Sequence, residues 1–381
     1  MRVLLAPDKF KGSLPAPEVA KALAAGVRRS LPDAEVRELP LADGGDGTAD
    51  ALVAALGGRI ERVQVSGPLG DPVDAPLGWL EDGRAVVEMA AASGLSLLDE
   101  ASRDALQASS RGTGEVIARA LEARAPGRAI IVGLGGSAST DGGTGAAAAI
   151  GWRFRDRAGR ELGPGGGELY KLAAIDGSAA REDLGAGPIV GASDVDNPLL
   201  GRRGAARTFA PQKGASSEQV EQLERGLRVL AARIDADLGV EVADHWGAGA
   251  CGGIGAGLIA FFGARLAPGF DLVAEVTALK EAIAWSDLVI TGEGRLDDQS
   301  LGGKTPVGVA RLARAARVPC VAVAGEVAAD RRALEEAGFA RAAALVEAVG
   351  RERALADVRA SLAEVTARLL ADEDAAREDT S

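Results

Sequence analysis

Short apolar runs that stop at a glycine- or aspartate-bearing loop and then give way to a helical stretch recur at both ends of this chain. Arg2–Ala6 reads as a buried strand, Pro15–Ser30 as a helix apolar at 3.6-residue spacing, and Glu35–Leu39 as a second strand. The loop Asp43-Gly44-Gly45-Asp46-Gly47-Thr48 and another helix follow. Near the other end come a helix over Leu272–Ala284, a strand over Asp287–Thr291, a helix over Pro306–Ala316 and a strand over Pro319–Ala324. Helices near Asp330–Ala337 and Arg353–Leu370 close the pattern, and Asp372 to Ser381 reads as a solvated acidic tail. A strand that is followed by a helix before the next strand can pair in parallel, so both ends point to an α/β fold with a parallel sheet.

The middle of the chain reads differently. Strands at Arg62–Ser66, Ala75–Leu80 and Arg84–Met89 follow one another, with Glu81-Asp82-Gly83 as a hairpin turn. A helix near Gly114–Ala125, the strand Ala129–Leu134, a hairpin around Arg153–Leu162, the strand Pro188–Ala192 and a helix over Ser217–Ile234 come next. This predicts a discontinuous α/β domain, residues 1–62 plus 285–381, carrying an inserted mixed α/β domain over 63–284. Such an arrangement places a ligand cleft between the domains.

Composition narrows the function. The chain has 381 residues with a net charge of −12, which argues against nucleic acid as the main partner because phosphate backbones need a basic face. Two cysteines, Cys251 and Cys320, are too few for a disulfide scaffold or a cysteine-based zinc site, and a reducing cytoplasm is the simplest compartment. Trp246 to Ala264 carries no charge, but its seven glycines speak against a membrane-spanning helix. One histidine, His245, cannot build a histidine metal site, and no Gly-x-Ser-x-Gly elbow is present, so acid–base chemistry falls to carboxylates or lysines.

Two residue types stand out. Glycine numbers 52, about twice the usual share, with no low-complexity tract to absorb it. Seven lysines stand against 36 arginines, and Lys9, Lys11, Lys213 and Lys304 lie in glycine- or proline-rich loops, where a compact ammonium has uses that a planar fork does not. If strand geometry continues past Ala6, Lys9 and Lys11 share one face.

The strand Ala129–Leu134 runs into Gly135-Gly136-Ser137-Ala138-Ser139-Thr140-Asp141-Gly142-Gly143, a loop of the kind that cradles anions. Leu301-Gly302-Gly303-Lys304-Thr305 ends like a Walker A loop, but Asp298 stands where the opening glycine is required. Carboxylates gather at three strand ends: Asp43 and Asp46; Asp194 and Asp196; Glu293 and Asp297. Carboxylates beside phosphate-type loops suit Mg²⁺, which takes few protein ligands and completes its shell with phosphate oxygens and water.

Taken together, these blocks resemble the type 1 glycerate kinases. The resemblance rests on Ala6-Pro7-Asp8-Lys9-Phe10-Lys11-Gly12-Ser13-Leu14; on Asp43-Gly44-Gly45-Asp46-Gly47-Thr48; on Gly112-Thr113-Gly114-Glu115; on Gly135-Gly136-Ser137-Ala138 with Asp141-Gly142-Gly143; on Ser193-Asp194-Val195 with Asn197-Pro198-Leu199; and on Gly292-Glu293-Gly294 with Asp297, Gln299-Ser300, Gly303-Lys304 and Pro306. The blocks keep the family's order and cover nearly the whole chain, departing at Ser139-Thr140 and Cys251. The resemblance implies a flavodoxin- or Rossmann-like parallel-sheet half and ATP-dependent phosphorylation of D-glycerate to 2-phosphoglycerate with Mg²⁺. On this reading the catalytic candidates are Asp194, to orient the attacking hydroxyl, and Lys9 and Lys11, to bind the substrate carboxylate or the transferring phosphoryl group. Asp8, Ser13, Gly135, Gly136, Ser137, Asn197, Lys213 and Lys304 would bind substrate or phosphate, and Asp43, Asp46, Glu293 and Asp297 the metal. The expected partners are ATP and D-glycerate, without nucleic acid or membrane, with a homodimer as the assembly allowed for. The competing reading, a dinucleotide-dependent oxidoreductase of a small hydroxy acid, rests on Gly133-x-Gly135-x-x-Ala138; no clean strand ending in an acid stands about twenty residues beyond it. A non-catalytic ligand-binding module would also accommodate the loop lysines.

Overall fold

The structure, a computed structural model, describes residues 1–301 and 303–378, so the end of the expected acidic tail lies outside the described residues. The chain divides into two compact units.

The first unit takes in Met1–Asp43, Asp50–Gly57 and the chain from Phe270 onward. Its sheet has five strands in the order Arg341–Ala344, Cys320–Ala324, Leu288–Thr291, Arg2–Leu5, Glu35–Glu38, and every neighbouring pair is parallel. Counted along the unit's own chain this is the order 2-1-3-4-5 of a flavodoxin-like doubly wound sheet. The central strands are buried on both faces, which explains why they read as unbroken apolar runs. Their side chains form one core with Leu23, Val27, Leu362 and Val365 from flanking helices. The helices Ala16–Ser30 and Val358–Glu378 cross so closely that a Cβ on Gly26 would sit 2.6 Å from the Ala363 carbonyl oxygen. Only glycine permits that approach.

The second unit takes in Gly44–Ala49 and Gly58–Gly269. Its six-stranded sheet runs Arg265–Pro268, Ile189–Ser193, Ile130–Leu134, Ala85–Glu88, Pro72–Leu80, Gly58–Ser66. The first four strands are parallel and the last two antiparallel, so the mixed reading of this region holds. The long helix Ser217–Leu238 starts in a capping box, with Ser216 Oγ accepting from the Gln219 backbone N–H at 3.3 Å and Gln219 Oε1 from the Ser216 N–H at 2.8 Å. It ends at Gly239, in the left-handed region.

Several elements differ from expectation. The helix expected over Leu272–Ala284 is two helices, Gly269–Val276 and Leu279–Trp285, because Ala278 adopts φ 51° and breaks the ladder. The closing helix likewise splits at Asp357 into Arg351–Ala356 and Val358–Glu378. Arg153–Asp156 pairs mainly with Leu172–Asp176, and the tight turn after it contributes one bridge, Arg155 to Glu161. The edge strands Arg265–Pro268 and Arg341–Ala344 were not foreseen; both are rich in small or polar residues and give little periodic signal. The uncharged stretch around residue 255 contains the buried helix Ala250–Phe262, with non-helical backbone at Cys251, Gly252 and Gly253. No helix among the described residues is long and apolar enough to cross a membrane. The units divide at 57/58 and 269/270, where the sequence suggested 62/63 and 284/285, and Gly44–Ala49 goes with the second unit.

Candidate active site

In a doubly wound sheet ligands collect beyond the carboxyl ends of the strands, where the strand order reverses. In the first unit that point lies between Arg2–Leu5 and Leu288–Thr291, paired in register Leu5 to Ile290. The two chains stay together past their strand ends. The Ala6 N–H donates to the Ile290 carbonyl at 2.8 Å, the Asp8 N–H to the Gly292 carbonyl at 2.9 Å, and the Thr291 hydroxyl to the Ala6 carbonyl at 2.7 Å. Asp8 and Glu293 are thereby delivered to the switch point. Gly292 is a steric requirement, since a Cβ there would lie 2.0 Å from the Val323 carbonyl oxygen.

Asp8 is buried, and Oδ1 of its carboxylate accepts the Lys9 backbone N–H at 2.7 Å. Burial, reinforced by the Asp43 charge, pushes its pKa up to about 7, against the pull of Lys9 and of the Thr305 hydroxyl. Glu293 is held above the usual carboxylate range, first by burial and then by Asp297 and Asp43; Ser300 and Lys304 oppose the rise. Its Oε1 is buried without a hydrogen-bond partner. Asp297 caps the turn before Thr305–Ala316, its Oδ1 accepting the Ser300 N–H at 3.1 Å, and Arg295 lies 3.4 Å from its other oxygen. Lys304 is the exposed residue at the start of that helix, with Pro306 in its first turn. Asp8, Lys9, Asp43, Glu293, Asp297 and Lys304 thus form one acid-rich cluster in the first unit.

Lys11 and Ser13 are placed differently from Lys9. Strand geometry ends at Leu5, and Phe10 bridges to Leu14 around a turn containing Gly12 at φ 76°. Lys9 is half-buried beside Asp8, whereas Lys11 and Ser13 stand exposed on the turn, so the expected shared face does not form.

The second unit gathers its candidates on the strand ends Ala85–Glu88, Ile130–Leu134 and Ile189–Ser193, aligned as Glu88 to Gly133 to Ala192. The Gly44–Ala49 segment lies over the glycine loop: a Cβ on Gly133 would meet the Gly44 carbonyl at 2.4 Å, and one on Gly135 the Gly45 Cα at 2.9 Å. Glu88, which the sequence reading missed, holds this segment. Its buried carboxylate accepts the Gly47 N–H at 3.0 Å and the Ala49 N–H at 2.6 Å, and so positions Asp46, whose side chain is exposed. The available signal was an acid closing an otherwise apolar strand.

Below the glycine loop Lys213 is buried, its ammonium donating to Ser137 Oγ at 2.9 Å and to the Ser139 carbonyl. Burial lowers its pKa to about 8. Asp141, also fully buried, accepts from the Ser110 N–H and hydroxyl at 2.8 Å each and from the Gly143 and Gly145 N–H groups at 3.1 and 3.2 Å. Asp194 is exposed just past the strand end. Asn197 Nδ2 donates to the Arg203 carbonyl at 2.6 Å, shaping the loop in which Asp196 pairs with Arg203, also at 2.6 Å. His245 is exposed and its ring engages the Trp246 carbonyl.

No three histidine, cysteine or carboxylate side chains converge as a ready-made metal cage among the described residues. Of the four expected metal ligands, Asp43, Glu293 and Asp297 belong to the first unit and Asp46 to the second.

Comparison with known proteins agrees with this architecture. The model of the glycerate kinase family matches residues 3–372. The chain is 45% identical over 340 residues to a glycerate kinase of Bacillus subtilis (strain 168), covering 89% of this chain and 88% of that one. It is 45% identical over 351 residues to a glycerate 2-kinase of Escherichia coli (strain K12), covering 92% of each. A crystal structure assigned as glycerate kinase 2 from Salmonella typhimurium LT2 superposes with a TM-score of 0.88 at 42% identity, over 99% of both chains. A family model that spans nearly the whole chain, relatives 45% identical over about nine-tenths of it and a solved structure with the same fold together show that the chain belongs to the glycerate kinase family.

Proposed function

We propose that this enzyme transfers the γ-phosphoryl group of ATP to D-glycerate, giving 2-phosphoglycerate, with Mg²⁺, and that each unit contributes residues to the reaction. The observation that carries the reading is the cluster at the switch point of the first unit, where Asp8, Asp43, Glu293 and Asp297 stand with Lys9 and Lys304. Phosphoryl transfer asks a protein mainly for positioning and charge neutralisation, and lysines, carboxylates and glycine loops supply these.

Mg²⁺ fits a site of this kind although no cage is preformed, because it binds through one or two carboxylates plus nucleotide oxygens and water. The unpartnered, buried Glu293 Oε1 beside Asp43 and Asp297 is a hard oxygen donor of the required type. Glu293, Asp43 and Asp297 would hold the ion in the first unit, with Asp46 as a further ligand. Bound there, the ion would neutralise charge on the nucleotide phosphates. Lys9 and Lys11 would stabilise the transferring phosphoryl group, and Lys304 the remaining phosphates. Asp194 would orient the attacking hydroxyl and accept its proton.

The deciding assay measures ADP release from ATP and Mg²⁺ with and without D-glycerate, beside an NADH absorbance trace. Glycerate-dependent ADP release with a silent NADH trace is the expected result. NADH formation without ADP would establish the oxidoreductase reading instead. Phosphorus NMR of the product distinguishes the 2-phosphate from the 3-phosphate.

A further inference from the structure

Lys213 is the largest side chain that is almost wholly buried, and it is a cation. No carboxylate among the described residues lies within 4 Å of its ammonium to form an ion pair. Asp141 is the acid whose field reaches it, but that carboxylate is already engaged by four donors from its own surroundings. The thiol of Cys251 is the other titratable neighbour, and burial pushes its pKa up, so at neutral pH it carries no charge to balance the lysine. A buried cation whose protein partners are a hydroxyl and a carbonyl is an expensive arrangement unless it serves an anion. The Ser139 and Thr140 hydroxyls beside it are buried and also lack hydrogen-bond partners.

The direction of that service follows from Ser137. Its oxygen accepts from Lys213, so its single hydrogen must point elsewhere. The contacts available within the protein are the Ser139 carbonyl at 3.4 Å, a long bond to an acceptor that Lys213 already occupies, and the sulfur of the neutral Cys251 thiol, a weak acceptor. A better acceptor arriving over the glycine loop would displace either at little cost. Charge sorting between the units identifies that acceptor. The first unit's cluster carries four carboxylates and suits the metal-bearing nucleotide, whereas it would repel a bare carboxylate. The Lys213 side of the glycine loop presents a cation and hydroxyls.

Resting on the proposed kinase reading, we propose that the glycine loop is the subsite for the carboxylate of the 2-hydroxy acid. Lys213 is its positioning residue: it fixes Ser137 so that the hydroxyl donates outward to the acid, and it supplies the charge from beneath the loop.

The test uses the full-length enzyme and the variants Lys213→Met, Ser137→Ala and their combination. Steady-state kinetics with ATP and D-glycerate are read beside calorimetric titration with D-glycerate alone. Each single variant is expected to raise the KM and the Kd for D-glycerate roughly tenfold or more, the scale of a lost charge-assisted hydrogen bond, with the KM for ATP within about twofold of wild type. The double variant is expected to be no worse than the worse single one, because the two residues act as one unit. Unchanged glycerate affinity in Ser137→Ala would overturn the proposal, as would equal effects on both substrates, additive effects, or a lower melting temperature with normal glycerate KM. Should Lys213→Met fail to fold, Ser137→Ala alone decides. Wild-type enzyme that binds glycerate without releasing ADP would defeat the kinase reading and leave the subsite standing. Normal turnover with wild-type-like binding in both variants would do the reverse.

Discussion

The two units solve the placing of charge in opposite ways. The first crowds acids at a strand switch point and leaves them poorly solvated, so Asp8 and Glu293 both hold protons more tightly than free carboxylates. The second buries one ammonium under a glycine loop and keeps its acid, Asp141, fully satisfied. The lesson is that like charges held together store a demand for a counter-charge, whereas a lone buried cation stores a demand for an anion. The proposed reaction, which would bring a metal, a nucleotide and a small acid together, would meet both demands.

The contrast can be broken experimentally. The largest effect should come from chelation: EDTA is expected to abolish turnover and added Mg²⁺ to restore it. Full activity in EDTA would mean that the first unit's acids serve something other than a cation. Next, Asp194→Asn is expected to lower kcat at least roughly a hundredfold with little change in melting temperature, the low end for loss of a general base. Partial rescue by high Mg²⁺ would move Asp194 into the metal group, and normal kcat would remove it from the site. Lys9→Ala is expected to cut kcat/KM by roughly tenfold to a thousandfold, and Lys11→Ala by less, because Lys9 sits beside the acid cluster and Lys11 on an exposed turn. Equal losses would show that the turn folds inward when substrate binds.

The smallest effect is on stability. The native state binds a proton at Asp8 more tightly than the unfolded chain does, because the pKa rises from 3.8 to about 7. Asp8 therefore contributes stability that is complete below about pH 4 and is lost as pH rises toward 7. Asp8→Asn removes that loss, so its melting temperature relative to wild type should increase between pH 5 and pH 8. A difference that is constant across this range would refute the assignment.

Much of this was legible from residues alone, for identifiable reasons. Strands such as Ile130–Leu134 and Leu288–Thr291 announce themselves because burial on both faces leaves only apolar residues. The carboxylates at strand ends were visible because glycine neighbours set them in turns. What stayed hidden depends on contacts distant in sequence. Glu88 acquires its role from amides 41 and 39 residues away, and the inward turn of Lys213 from Ser137, 76 residues away. The break at Ala278 was equally hidden, because alanine gives no local hint of a left-handed backbone. The unit boundaries were blurred because Gly44–Ala49 lies outside the unit that supplies both of its flanks.

The first unit's interleaving also has a consequence for biosynthesis. Arg2–Leu5 leaves the ribosome well before its inner partner strand, which begins at Leu288, and the Thr291 hydroxyl that seals the junction lies 285 residues from the Ala6 carbonyl. At roughly 5–20 residues per second, the nascent N-terminus waits about 15–60 seconds for that neighbour. The stretch Gly58–Gly269 is complete before then and can condense around its own core. Throughout that interval the buried face of Ala16–Ser30 has no Val358–Glu378 to cover it, since that helix is made later still. Nascent-chain truncations ending near residue 270 should therefore show a protease-resistant second unit trailing a protease-sensitive N-terminal arm.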